Sequence, residues 1–190
     1  VFRVGSTRVG VAMCWELARK RTDRRLRENR VDLILGASGW YGLEAKSAVE
    51  AIGGTEDGWR KSFKQGRLDV VDAPARLAKM TGAAVIHANL VGENWSPRFP
   101  SGLKRICRQF YGESQIVERQ GKVINNLPSN AGEGIVVGDI TPSRTNPVMP
   151  IGEGDWHIQM TPALRKFWYD SLGRDYYIKV TRPHRGLVAR

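Results

Sequence analysis

Cysteine is scarce: the 190 residues hold two, Cys14 and Cys107. That excludes a disulfide scaffold and a four-cysteine zinc site. Long apolar runs are missing as well. Stretches such as Val31–Ala37 are far too short to cross a bilayer, and this one contains Asp32. The opening residues do not read as a secretory signal, since no charged segment is followed by an apolar core. There is no glycine-rich phosphate loop, no dinucleotide fingerprint, and no His/Cys cluster at metal-ligand spacing. The expectation is therefore no cofactor, no metal, no membrane, and a reducing, cytoplasmic setting.

Acidic side chains are the minority. Thirty Lys and Arg face 19 Asp and Glu, a formal net charge of +11. The excess is uneven: residues 1–30 carry nine basic and three acidic groups, whereas 31–97 carry seven and eight. The densest run is Arg19–Arg30. It suits either a phosphate-binding face for nucleic acid or the solvated face of a helix with Leu17, Ala18 and Leu26 turned inward. The second reading is favoured, because charge runs usually serve solubility; no aromatic residues interleave with the run, so a single-strand stacking platform is not indicated. Hydrophobic residues make up 41% and charged residues 26%. Both are near globular averages, in a chain of one-domain length.

Arg8–Met13 alternates, with Val9, Val11 and Met13 on one side and Gly10 and Ala12 on the other. That is a strand, and its small side suits close approach of another layer. Leu17–Arg30 reads as a helix and Val31–Ala37 as a buried strand, which together make a crossover unit with parallel neighbours. Ser38–Gly42 reads as a turn, and Gly53–Gly58 as a loop. Asp72-Ala73-Pro74 reads as a helix start, with Gly82 as its end. Ala83–Asn89 repeats the strand. Residues 113–118 and 122–126 flank Gly121 as a hairpin, and Gly134–Ile140 reads as a further strand. Ser96–Leu103 is expected as a loop and Leu164–Leu172 as a short helix. From Thr141 onward Pro142, Pro147, Pro150 and Gly152 break the texture. The expected division is a domain over 1–141 and an extension or arm over 142–190, with the aromatic stretch from Trp156 to Tyr177 packing over the core or joining a second copy.

Cys14 stands where an alternating strand ends. Open α/β sheets place their sites at that edge of their parallel strands. A thiolate there can act as a nucleophile, although most buried cysteines are merely small hydrophobes. His87, inside an apolar strand, offers a Cys–His pair as a rival arrangement, against the commoner role of a hydrogen-bonded core histidine. Asn89 is expected to bind nearby backbone. Cys107 lies among Lys104, Arg105 and Arg108, cations able to lower its thiol pKa. His157 and His184 are isolated.

The segment Arg8-Val9-Gly10-Val11-Ala12-Met13-Cys14-Trp15-Glu16 resembles the nucleophile segment of the nitrilase superfamily, the carbon–nitrogen hydrolases. Four further segments agree in order and spacing: 31–40, 73–89, 111–123 and 134–140. The resemblance covers about residues 1–141. It implies an α/β fold, part of a four-layer α-β-β-α sandwich, and hydrolysis of a non-peptide carbon–nitrogen bond. It implies Cys14 as nucleophile, the backbone N–H of Trp15 as an oxyanion donor, and Glu16, Ser38 and Trp40 as supports of the site or pocket. For Glu16 a purely structural role is favoured; for Trp40 core packing and pocket lining are even. The partners implied are a small amide, nitrile or carbamoyl substrate and further copies of the chain.

The family's glutamate base and its lysine lie upstream of the nucleophile. Only thirteen residues precede Cys14 here, with no Glu or Lys among them. The chain also begins at Val1. The expectation is an incomplete, C-terminal portion of the domain, inactive alone. Two other function classes stay open: a basic nucleic-acid-binding module, and a catalytically dead relative that uses the same fold for assembly.

Overall fold

The computed structural model describes residues 1–95 and 105–158; the expected loop at 96–103, the helix at 164–172 and His184 lie outside them. Two compact units divide the chain, Val1–Ile158 and Gln159–Arg190.

The strands are β1 (Phe2–Val4), β2 (Thr7–Met13), β3 (Leu33–Ser38), β4 (Tyr41–Leu43), β5 (Ala84–Asn89), β6 (Val91–Trp95), β7 (Cys107–Tyr111), β8 (Ser114–Val117) and β9 (Val123–Leu127). The helices are α1 (Lys20–Glu28), α2 (Ala45–Ile52) and α3 (Glu56–Thr81). Six strands form one mixed sheet in the order β1-β2-β3-β5-β8-β9, and β4-β7-β6 form a second, smaller one. β2, β3 and β5 run parallel, as crossover units require. The hairpin at Gly121 is present as β8–β9.

The small side of β2 faces the helix layer. A Cβ added to Gly10 would sit 2.5 Å from Leu26 Cδ2, and one added to Gly36 on β3 would sit 2.8 Å from Leu17 Cδ2. Glycine here lets the helical layer lie close on the sheet. Leu17, Leu26, Val31, Ile34 and Leu77 are buried in that layer, each contributing about 1.5–3 kcal/mol relative to exposure. The opposite face of the same strands is open. Val11, Met13 and Leu35 are 45%, 51% and 37% exposed. Val11, Leu35 and Ile86 stand in register across β2, β3 and β5. No helix among the described residues is long and apolar enough to cross a membrane.

Four expectations are corrected. The helix does not run from Leu17: Cys14–Ala18 is a 3₁₀ turn, Arg19 is extended, and α1 starts at Lys20. Arg19 breaks the helix because its backbone bridges to Trp156. The Gly53–Gly58 loop shrinks to three residues, since the Thr55 hydroxyl caps α3 by accepting from Gly58 N–H. Pro74 lies inside α3 rather than at a start. Burial of Val70, Ala73, Ala75, Leu77 and Ala78 carries the helix through the missing proline N–H. Gly134–Ile140 forms no strand. Ile135 and Val137 there are 89% and 75% exposed. Its described link to β9 is a side-chain bond from Asn125 Nδ2 to the Val137 carbonyl, 2.9 Å. The segment lies beside β9, with Gly134 against Leu127 and Gly138 against Ile124, but no described backbone hydrogen bond joins the two, so no ladder forms.

Residues 142–158 wrap back over the helices. Thr145 N–H donates to the Gly82 carbonyl at 2.9 Å, Val148 N–H to Lys79 at 2.9 Å, and His157 N–H to Ala18 at 3.1 Å. Gly82 is left-handed, with φ 73°, and ends α3. A Cβ there would press into the Thr145 carbonyl. Gly82→Ala is expected to cost about 2 kcal/mol, from left-handed strain plus the clash. Urea unfolding would register this as a lower midpoint with an unchanged slope.

Candidate active site

The C-terminal ends of the three parallel strands converge at one edge of the large sheet. β2 ends at Met13, followed by Cys14; β3 ends at Ser38; β5 ends at Asn89. The chain then crosses from the large sheet to the small one. Three backbone bonds stitch the crossings: Leu90 N–H to Ser38 at 3.1 Å, Tyr111 N–H to Trp40 at 3.0 Å, and Gly112 N–H to Leu90 at 3.0 Å.

Cys14 is half-buried and has a positive φ of 51°. A residue with a Cβ adopts that region at a cost of about 1–2 kcal/mol. The strain is held by Glu16, whose carboxylate accepts from Met13 N–H at 3.0 Å. That bond ties the end of β2 to the turn and gives Glu16 a positioning role. Trp15 is partly exposed. Its ring lies 5.6 Å from Trp40 and 5.9 Å from Trp156. Trp40 is buried in the core cluster, beneath Trp15.

Ser38 organises the next layer. Its Oγ donates to Asn89 Oδ1 at 2.9 Å and lies 2.8 Å from His87 Nε2. The hydroxyl hydrogen is thus used on Asn89, so His87 Nε2 carries the donated hydrogen. Asn89 Oδ1 also accepts from Trp40 N–H at 3.0 Å, and its Nδ2 donates to the Gly112 carbonyl at 2.7 Å. Asn89 binds backbone, as its type and strand-end position led one to expect. His87 is buried, and burial pushes its pKa down to about 4. Among the described residues no hydrogen bond joins it to Cys14. The rival Cys–His pair is therefore not assembled.

Cys107 reverses the expectation drawn from its basic neighbours in sequence. It is buried on β7, and burial, reinforced by Glu93 and Glu44, pushes its thiol up to about 11. Sequence neighbours on a strand point to opposite faces, so adjacent cations do not govern the thiol.

Four features were not legible beforehand. Tyr41, on β4, stands close to the nucleophile turn. Burial raises its hydroxyl pKa, Arg108 opposes this, and negative charge on Cys14 adds to the rise. Trp156 reaches the site from the far end of the unit and packs against Trp15, with the Arg19 guanidinium 4.8 Å over its ring. Beside it, buried His157 and Asp23 pair at 2.9 Å. Glu113, left-handed at φ 60°, sits buried at a sheet crossing, where Arg67 Nε donates to it at 2.9 Å. These partners are separated by 46 to 134 residues, and no local pattern announces them. At this edge a cleft of about 260 Å3 is lined by Asn89, Leu90, Gly112, Ser114 and Pro128 rather than by Cys14. Among the described residues no group of three or more His, Cys, Asp or Glu could hold a metal.

No protein-family model matches the chain, and no curated protein matches it. Solved structures do. A carbon-nitrogen hydrolase from Helicobacter pylori G27 superposes with a TM-score of 0.51 at 15% identity, over 93% of this chain and 50% of that one. An amidase of the nitrilase superfamily from Nesterenkonia AN1 gives a TM-score of 0.41 at 16% identity, over 68% and 37%. A CN-hydrolase superfamily protein from Xanthomonas campestris gives 0.39 at 15%, over 67% and 38%. The first likeness shows the fold, a mixed α/β arrangement of the nitrilase type. The chain spans half the length of that first structure.

Proposed function

We propose that this chain is the nucleophile-bearing portion of a carbon–nitrogen hydrolase domain, acting on a small amide, nitrile or carbamoyl compound. The observation that carries the reading is Cys14, strained at φ 51° at the C-terminal end of a parallel strand. Strain of this kind collects at functional turns and persists only where the surroundings enforce it. Glu16 does so here.

In this reading the Cys14 thiolate attacks the substrate carbonyl carbon. The carbon–sulfur bond forms and the carbonyl π pair moves onto oxygen, where the Trp15 N–H donates to it. Collapse of that adduct expels the amine, which leaves with the proton taken from the thiol. Water then attacks the thioester, the carbon–sulfur bond breaks, and the acid and the thiolate are released. The base that carries these protons is a glutamate, and the second oxyanion donor a lysine, both supplied from outside these 190 residues. The same outside portion would supply a second sheet over the open Val11–Leu35–Ile86 face and complete a four-layer sandwich. It would also wall the substrate pocket beside Cys14. Within the reading, residues 1–141 belong to the hydrolase domain and 142–190 form its arm. Self-association and a reducing cytoplasm, which keeps Cys14 a thiol, belong to it too.

The test is covalent labelling. In the complete protein, an electrophilic amide analogue is expected to modify Cys14 and to leave Cys107, buried with a raised pKa, untouched. Intact-mass and peptide analysis would read it. Amide hydrolysis surviving in Cys14→Ser rejects the mechanism. Robust hydrolysis by the 190 residues alone rejects the incomplete-domain reading.

A further inference from the structure

Two segments far apart in sequence meet in a cleft walled by arginine. The cleft measures about 550 Å3, and Arg24, Arg27, Arg30 and Arg144 line it, with Glu28 its one acid and Ile151 a side wall. Arg24 and Arg27 are three residues apart on α1 and share one face. Arg30 follows in a left-handed turn (φ 53°), fixed by its N–H donating to the Arg27 carbonyl at 3.0 Å. Arg144 joins them from a segment more than a hundred residues later. Its neighbours are both anchored: Arg119 donates to the Ser143 hydroxyl, and Thr145 N–H donates to Gly82. The rim is tied to α1 by Arg24 Nη2 donating to the Gly152 carbonyl at 3.0 Å and by the Lys20 ammonium on the Glu153 carbonyl.

Four arginines face a single lining acid, Glu28, in this cleft. Among the described residues, Arg24, Arg27, Arg30 and Arg144 make no salt bridge. The other acid of α1, Asp23, is buried against His157. A solvated basic helix spreads its guanidinium groups over a convex surface. Here four of them, from α1, the turn after it and the 144–152 segment, line one open concavity, where they repel each other and a bound anion relieves them. The guanidinium fork matches phosphate oxygens two at a time. The volume falls within the range of small-ligand sites, about 300–1,000 Å3. The cleft has no aromatic lining residue, so it lacks a platform for stacked bases.

We infer that this cleft binds a compact, multiply charged phosphate anion, of the size and charge of a diphosphate group. The site is independent of the hydrolase reading, because it lies at α1 and the 144–152 segment rather than at the sheet edge that holds Cys14.

Calorimetric titration of the full-length protein with inorganic pyrophosphate at ~50 mM salt tests this, since electrostatic binding is strongest there. Two double variants remove equal charge. Arg27→Ala with Arg144→Ala takes one arginine from each segment; Arg21→Ala with Arg25→Ala takes two exposed arginines of the same helix outside the cleft. The first pair is expected to weaken binding at least about tenfold and the second less than about twofold, as bidentate contacts differ from a diffuse field. Arg30→Gln is the further variant should the first pair alter the melting curve, and it is also expected to weaken binding. A nucleoside diphosphate arm separates the sources. Affinity equal to pyrophosphate assigns recognition to the phosphates alone, and tighter binding assigns the ligand to nucleotides. No pyrophosphate binding overturns the inference. So does equal weakening by both pairs, or tighter binding of a short DNA duplex, which would make this face a nucleic-acid surface instead.

Discussion

On the proposed hydrolase reading, replacing Cys14 with alanine is expected to lower kcat/KM for an amide substrate by about 10,000-fold or more, the scale on which loss of a covalent nucleophile is felt. Stability is expected to move little, since Cys14 is half-buried and the described contacts give its thiol no hydrogen bond. Cys14→Gly separates the two roles of the position. It is equally inactive but lacks the Cβ that makes φ 51° costly. It is therefore expected to unfold about 1 kcal/mol later than Cys14→Ala. Parallel urea unfolding and initial-rate measurements read both effects. A Cys14→Gly protein no more stable than Cys14→Ala would mean that the left-handed turn stores no strain, and the observation on which the nucleophile reading rests would lose its force. Glu16→Gln is informative beside it. Gln keeps a side-chain oxygen for the Met13 N–H, so a positioning role predicts a modest loss, whereas a proton-transfer role predicts one as deep as that of Cys14→Ala.

The residues that made this edge legible in sequence were those whose roles are local. Alternation in Arg8–Met13, the small Gly10 and Ala12, and the buried runs before Ser38 and Asn89 encode strands that need only their neighbours. The parallel order followed from the crossover units. Several failures share a cause: they are places where distant contacts overrode local preference. Pro74 looks like a helix start until α3 is seen to be held by its buried face. The helix expected from Leu17 breaks at Arg19 because Trp156, over a hundred residues later, pairs with it. Cys107 looks activated in a basic stretch, yet strand geometry turns it into a buried site beside Glu93. Gly134–Ile140 has the composition of a strand and lies beside β9, but the described bond between them comes from the Asn125 side chain and not from a backbone ladder. The same logic explains the hidden pair of Asp23 and His157, in which a charge from the basic run is matched by a histidine that looked isolated.

His87 supplies a large expected effect of acid pH on stability. Its ring packs 5.9 Å from Trp40, its Nε2 is committed to Ser38, and its Nδ1 is buried without a partner. Protonation would place a charge on Nδ1 with nothing to accept it, and burial therefore lowers the pKa from 6.5 to about 4. The unfolded chain binds the proton more readily than the folded one across that interval. Stability is thus fully present above about pH 6.5 and is lost as the pH falls towards 4, by on the order of 3 kcal/mol. Asp23 works in the opposite sense: burial raises its pKa, so the folded state holds that proton more tightly and gains as the pH falls through the carboxylate range. Comparing wild type with His87→Gln isolates the histidine. Gln keeps a donor for Ser38 and does not titrate, so its urea midpoint should decline less between pH 7 and pH 4.5. Identical decline in the two proteins would sink the assignment. The same variant bears on chemistry. A histidine held neutral, with one nitrogen spent on Ser38 and the other buried, has no route to the Cys14 proton, and His87→Gln should leave labelling of Cys14 intact. Loss of labelling in a folded His87→Gln protein would instead restore the Cys–His pair and remove the need for a base from outside the chain.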